Sequence, residues 1–264
     1  MSEIIIESWS HFVDQASRWE SSFRGETSIT DHSKPPVLFR GHASDKWKIQ
    51  TTLERTHKDC ISVLDYHKRV YETKHQLESL SNSKWEVPKP DAFQNHLRKS
   101  EWYKGIPALN YLVYLRHHGF PSPLLDWTRS PFIAAFFAFQ KVDPSTENVA
   151  IYSFIPLERS MSSPVNSDLR IQSLGHRVRT HKRHVLQQAE YTICINKRAH
   201  QWEYASYEEF FETCERPPYK FIIPSQLRRD FLKNLDLFNL NEYTIYGSDD
   251  GLVQSTAMRV FDYY

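Results

Sequence analysis

The chain reads as a single α+β domain, and three observations predict it. Apolar residues recur at helical intervals through most of the N-terminal half, while runs rich in β-branched and aromatic residues gather later. The 264 residues hold only 7 Gly and a scattered 14 Pro, with no repeat, linker or low-complexity stretch to divide them. Aromatics reach 14%, enough for one dense core. The expected architecture is a helix-rich N-terminal half packed on a mixed or antiparallel sheet, with residues 36–140 as a motif-bearing core and 141–264 as a strand-rich second half of one domain spanning 1–264.

Composition narrows the function classes. Basic residues number 33 and acidic residues 32, so no global field announces nucleic acid and no acidic tail announces a partner. Cys60, Cys194 and Cys214 are odd in number and far apart, without zinc or disulfide spacing, which fits a reducing compartment. The opening MSEIIIESWSHF lacks a basic flank and a cleavage site, and no apolar run approaches the roughly 20 residues of a membrane span. The expectation is a soluble cytoplasmic protein without membrane contact.

In chain order, Glu3 to Glu7 is a short strand. Phe12, Val13, Ala16, Trp19 and Phe23 then mark one helical face, and a polar loop follows from Gly25 to Lys34. The run from Pro36 reads as a strand ending at Gly41, with Arg40 at its mouth. Gly lets a ligand or another backbone approach, and Arg suits a phosphate; the alternative is an Arg paired with a core carboxylate. Residues 47–55 are irregular or a short strand, and a long helical region runs from Leu53 to about Leu80. Asn, Ser and two prolines break the chain between Ser81 and Pro90. Asp91 to Tyr103 is amphipathic with Trp102 inward, and the helix behind Pro107 stops at Gly119, which supplies a left-handed residue.

Leu115 to Phe139 is the richest stretch: a helix end, a Pro-kinked loop, a polar turn at Asp126 to Ser130, then an apolar helix. Ser130 suits the N-cap and Pro131 the first helical position. FIAAFFAF is apolar all round, so this helix is expected to be buried. Its N-terminus is ringed by Asp126, Thr128, Arg129 and Ser130, with His117 and His118 upstream, and helix N-termini attract anions. The plainer alternative is an ordinary capped core helix.

Asn148 to Phe154 is the clearest strand, and a loop covers 156–167. From Arg170 to Arg183 the chain is basic without one acid: Arg177, Arg179, Lys182 and Arg183 can meet phosphate, or form a solvated loop. His176, His181 and His184 lack the spacing and the partners of a metal site, so no metal is expected. Val185 to Asn196 ends in a strand with Gln187, Gln188 and Glu190 at its entrance. Ser206 to Cys214 is a short helix, Tyr219 to Ile223 a strand, and Ser225 caps a helix bearing Leu227, Phe231 and Leu235. A Gly-Ser-Asp-Asp-Gly turn and a last helix from Leu252 to Phe261 close the chain.

These segments resemble the FRG domain family, named for Phe-Arg-Gly, here Phe39-Arg40-Gly41. Thr52-Leu-Glu-Arg55 is similar to the family's Pro-Ser-Leu-x-Arg step. His118 to Ala138 is similar to its central His-Tyr-Gly-Leu-Pro-Thr-Arg-Leu-Leu-Asp-Trp-Thr-x-Ser-Pro core and the helix behind it. Gln187-Gln188 resembles a later Gln-rich step, and residues 238–252 a degraded closing segment. Ser122-Pro123 departs from the usual Thr-Arg, which removes one cation beside Asp126, and Asn239 stands where the closing proline would be. The resemblance implies a bacterial defence or toxin setting.

A more distant resemblance joins Arg40, then Thr128 or Ser130, then Gln188 with Glu190, to the three signatures of ADP-ribosyltransferases. It implies an NAD-dependent or NAD-cleaving enzyme. Arg40, Gly41, His118, Asp126, Thr128 and Ser130 would bind NAD. Glu190 would steady charge developing at the anomeric carbon, and Gln188 would position a macromolecular acceptor, protein or nucleic acid. Such a toxin implies an antitoxin or regulatory partner. The alternative is a non-enzymatic sensor that binds nucleic acid or protein through residues 170–184 and an aromatic surface at Trp85 and Trp102. A third option is a nuclease built on His117, His118 and Asp126.

Overall fold

The sheet grows outward from β2 (Leu38–His42), whose first two residues face different cores. Phe39 enters one core with Ile151 and Phe221, and Leu38 enters the other with Ala150 and Tyr152, as the period of two demands. The computed structural model describes residues 2–24, 36–57, 62–81, 83–99, 101–156, 162–163, 168–175, 178 and 182–263. The polar loop at 25–34, Cys60, most of the 156–167 loop, His176, Arg177, Arg179 and His181 lie outside them, as does the side chain of Phe23.

Eight strands form one mixed sheet: β1 (Glu3–Ile5), β2, β3 (Leu125–Thr128), β4 (Asn148–Phe154), β5 (Arg170–Gly175), β6 (Ala189–Arg198), β7 (Gln201–Tyr204) and β8 (Tyr219–Pro224). Their order is β1-β8-β4-β2-β3-β6-β5, with β7 also on β6. Among the described residues only the β1–β8 pair is parallel. Ile195 of β6 pairs with Arg170 on one side and Tyr204 on the other, while Thr192 pairs with Ser173 and Leu125. Strands β3 and β7 therefore line the same edge of β6, one after the other. The expected α+β domain is what the chain forms, with a sheet that ties its first strand to its last.

Helices α1 (Trp9–Arg24), α6 (Pro131–Gln140) and α9 (Arg228–Leu237) cover one end of one face, where Phe12, Phe136, Phe139 and Phe231 are fully buried. Helices α3 (Val63–Ser81), α4 (Pro90–Leu97) and α5 (Leu109–His117) enclose a second core with Tyr191, Ile193 and Ile195. The opposite face is closed by α8 (Tyr207–Thr213). Four short or terminal helices complete the fold: α2 (Thr52–Thr56), α7 (Lys182–Leu186), α10 (Glu242–Tyr246) and α11 (Asp249–Phe261).

Several expectations need correction. Asp126 to Thr128 is a central strand, because β2 and β6 on either side supply the ladder that outranks its polar residues. The long helix from Leu53 resolves into α2 and α3, with α2 ending at Thr56 under a cap from His57. Trp102 leaves α4 for a 3-10 turn and is 1% exposed, so it belongs to the core and not to an aromatic surface. Ser225 makes no cap bond. Ser248 starts α11 three residues ahead of Leu252 by accepting from the Gly251 N–H, and α10 went unforeseen. The supposed basic loop at 170–183 begins as strand β5 and ends in α7.

Candidate functional site

Strands β2 and β3 pair only at Phe39–Thr128, and beyond that point the sheet opens. Arg40 occupies the opening. Its Nη1 donates to the Asp126 carbonyl at 2.6 Å, a bond that stands in for the missing rung. The same nitrogen lies 3.6 Å from Asp126 Oδ1, and its Nε donates to His42 Nε2 at 3.0 Å. Gly41 is required beside it: a Cβ there would lie 2.0 Å from the Ala134 carbonyl oxygen. Gly41 thus serves the packing of α6 against β2.

A second arginine completes the grip on Asp126. Arg116, in the last turn of α5, donates from both Nε and Nη2 to Asp126 Oδ1, the first at 2.9 Å. Burial pushes the Asp126 carboxyl up, but Arg116 and then Arg40 hold it well below the usual carboxylate range. Asp126 in turn raises Arg116. The side chain of Asp126 remains 42% exposed, against 13% for Arg40 and 15% for Arg116, so the cluster faces solvent through its carboxylate.

Arg55 is the third cation. It is exposed on α2, and its charge adds, after burial, to what lowers both Arg40 and His42. Helix α2 is held there by reciprocal capping between Thr51 and Glu54, and by Ser122, whose carbonyl accepts from the Leu53 N–H at 3.1 Å. The Ser122 N–H donates to Thr52 Oγ1 at 2.9 Å. The residue that departs from the family pattern is therefore a buried anchor for α2.

His42 adds no charge. Burial first, and then Arg40, push it down to about 3, so it is neutral at physiological pH. Accepting at Nε2 leaves its proton on Nδ1, 3.4 Å from the Trp47 carbonyl. Two guanidiniums, Arg40 and Arg116, therefore meet one carboxylate, with Arg55 exposed nearby.

The other residues singled out from the sequence fall elsewhere. Thr128 donates to the Gln187 carbonyl at 2.8 Å and accepts from the Ser130 N–H at 3.1 Å, and it is 3% exposed. Ser130 caps α6 by accepting from the Ile133 N–H at 3.3 Å. Glu190 pairs in register with Trp127 and is bonded by Arg129 Nε at 2.7 Å and by Arg129 Nη2. Its side chain is 2% exposed, so its carboxylate faces Arg129 and not open space. Gln188 is exposed on a left-handed turn (φ 46°). His118 is exposed, with Nδ1 2.8 Å from the Tyr114 carbonyl. His117 Nε2 lies 2.9 Å from the Tyr191 hydroxyl. Arg183 lies over the Tyr246 ring at 5.4 Å, and Lys182 is exposed on α7.

Arg40 and Asp126 are thus brought together; Thr128, Ser130 and Glu190 are committed to local contacts. Arg116 was not foreseen. Its signal was an arginine in the last turn of a helix, ten residues before a carboxylate that had lost its expected neighbouring cation. Among the described residues no group of three potential ligands could hold a metal, and no helix is long and apolar enough to cross a membrane.

Residues 35–147, which contain β2, α2, α5, β3 and α6, match the family model of the FRG domain. No curated protein and no solved structure matches the chain.

Proposed function

Starting from an FRG domain over residues 35–147, we propose that the chain binds NAD and cleaves its nicotinamide–ribose bond. The observation that carries this reading is the surplus of positive charge in the opening between β2 and β3, where Arg40 and Arg116 share the single carboxylate of Asp126 and Arg55 adds a further charge nearby. Guanidiniums bind phosphate oxygens through forked, charge-assisted bonds, and a pyrophosphate supplies the two negative charges the cluster lacks. In the reaction nicotinamide departs with the bonding pair of its C–N bond. A nucleophile, water or a macromolecular acceptor, bonds to the anomeric carbon and loses its proton. Glu190 serves as the carboxylate that steadies the developing positive charge once NAD displaces it from Arg129, and Gln188 meets the acceptor. An enzyme that consumes NAD in this way is toxic, which supports a bacterial defence role under the control of an inhibitory partner.

The burial of Glu190 against Arg129 favours a second reading, a module that binds the nucleotide as a signal without turning it over. Calorimetry with NAD and with pyrophosphate, alongside chromatography for free nicotinamide, separates the two. Binding of both ligands is expected, weakened at least about tenfold by Arg40→Ala or Arg116→Ala, since a hydrogen bond to a charged group contributes about 1.5–3 kcal/mol. Nicotinamide release lost in Glu190→Gln supports the enzyme, and binding without release supports the sensor. If neither ligand binds folded protein, both readings fail.

A further inference from the structure

A second site lies away from the arginine cleft and shares no residue with it. The β6–β7 hairpin leans over α3 and α4 and leaves a groove of about 550 Å³, within the roughly 300–1,000 Å³ of ligand sites. Its floor is apolar, built from Leu64, Leu97 and Trp202, all partly buried against the core of Tyr111 and Tyr191. Its walls carry Lys68, Arg98, Lys99 and Lys197, against the single acid Asp65. Asp65 is already taken by Lys68 at 3.0 Å. Arg98, Lys99 and Lys197 have no carboxylate partner among the described residues, and all three are exposed. In a chain of net charge +1 this is a local excess.

Trp202 shows what kind of anion fits. Its ring meets Trp102 and Tyr103 edge-on, with centroids 5.6 and 6.0 Å away. Among the described residues Lys197 Nζ lies over its face, 5.7 Å from the centroid. A flat aromatic surface beside unpaired cations suits a ligand with both a π-face and phosphates. Gln94 and Gln201 add side-chain amides able to meet base edges. An acidic peptide would use the cations and leave the ring idle, and a duplex would keep its bases stacked away from it.

We propose that this groove binds single-stranded nucleic acid, with phosphates along Arg98, Lys99 and Lys197 and a base on Trp202. The test is fluorescence anisotropy with a labelled oligodeoxythymidylate of about 12 nucleotides, within the roughly 4–16 that single-strand sites span. Binding is expected to weaken with salt, and each phosphate contact contributes about 0.7 to the log–log slope. Arg98→Ala with Lys99→Ala should lower the slope by about 1.4 and the affinity roughly tenfold at about 0.1 M salt. Lys197→Ala should add to that loss, and Arg40→Ala should leave binding unchanged, so that failure of the NAD reading and failure of this one are told apart. All three groove positions are exposed, and a thermal melt checks that the variants are folded. Absence of binding, an unchanged slope in the groove variants, a loss in Arg40→Ala instead, equal affinity for a duplex, or equal competition by polyglutamate would each overturn the proposal.

Discussion

Among single residues, His42 shows how burial sets chemistry. A neutral imbidazole is the form that can accept from Arg40 Nε, and a proton on Nε2 would place two donors face to face. Its pKa is about 3 in the folded chain and 6.5 in the ordinary case, so the unfolded state binds the proton first. Stability is therefore full above about pH 6.5 and falls as pH drops toward 3, by at most about 1.4 kcal/mol per pH unit. Asp126, depressed by its arginines, acts in the same direction at lower pH: its contribution is present above the ordinary carboxylate value and is lost in stronger acid. Denaturant titrations from pH 7 to pH 4 should show this acid slope, and His42→Phe should flatten it. An equally steep slope in the variant would place the acid sensitivity elsewhere. None of this was legible in the residues around Gly41, since burial is a property of the assembled sheet.

Helix α6 was the most legible element. Ser130-Pro131 followed by FIAAFFAF specifies a capped, buried helix by local rules, and the structure has that cap and that burial. The cap also decides what Ser130 does. Ser130→Ala should lower stability by about 1 kcal/mol in chemical denaturation and leave NAD affinity within twofold, because its hydroxyl is spent on the Ile133 N–H. A loss of NAD affinity without a loss of stability would instead return Ser130 to the ligand. Strand β3 was the least legible element. Asp126, Thr128 and Ser130 carry turn chemistry in isolation, and only pairing with Ala189 to Thr192 makes the segment extended.

Over the whole molecule, residues 35–147 supply β2 and β3, but apart from the single Phe39–Thr128 pairing between them their partners lie outside that range. Strand β2 pairs along its whole length with β4, from Leu38–Phe154 to His42–Ala150, and β3 pairs with β6. Strand β1 joins β8, more than two hundred residues away. A fragment limited to 35–147 would expose two unpaired edges and leave all three cores incomplete. It should show no cooperative thermal transition by circular dichroism, whereas the full chain should melt in one step. A cooperatively folding fragment would mean that the cores are separable.

Local sequence alone determined the α+β class, the cap and burial of α6, and the strand at Asn148–Phe154, and it singled out Arg40 and Asp126 as candidates. Those features depend on short-range periodicity and capping, which a few consecutive residues encode. Tertiary structure alone decided that Arg116 would join Arg40 around one carboxylate, that Arg129 would close over Glu190, and that a hairpin would bring Lys197 and Trp202 to Arg98. Each of those meetings joins strands or helices distant in the chain, and it is set by sheet order and register, which no local pattern carries.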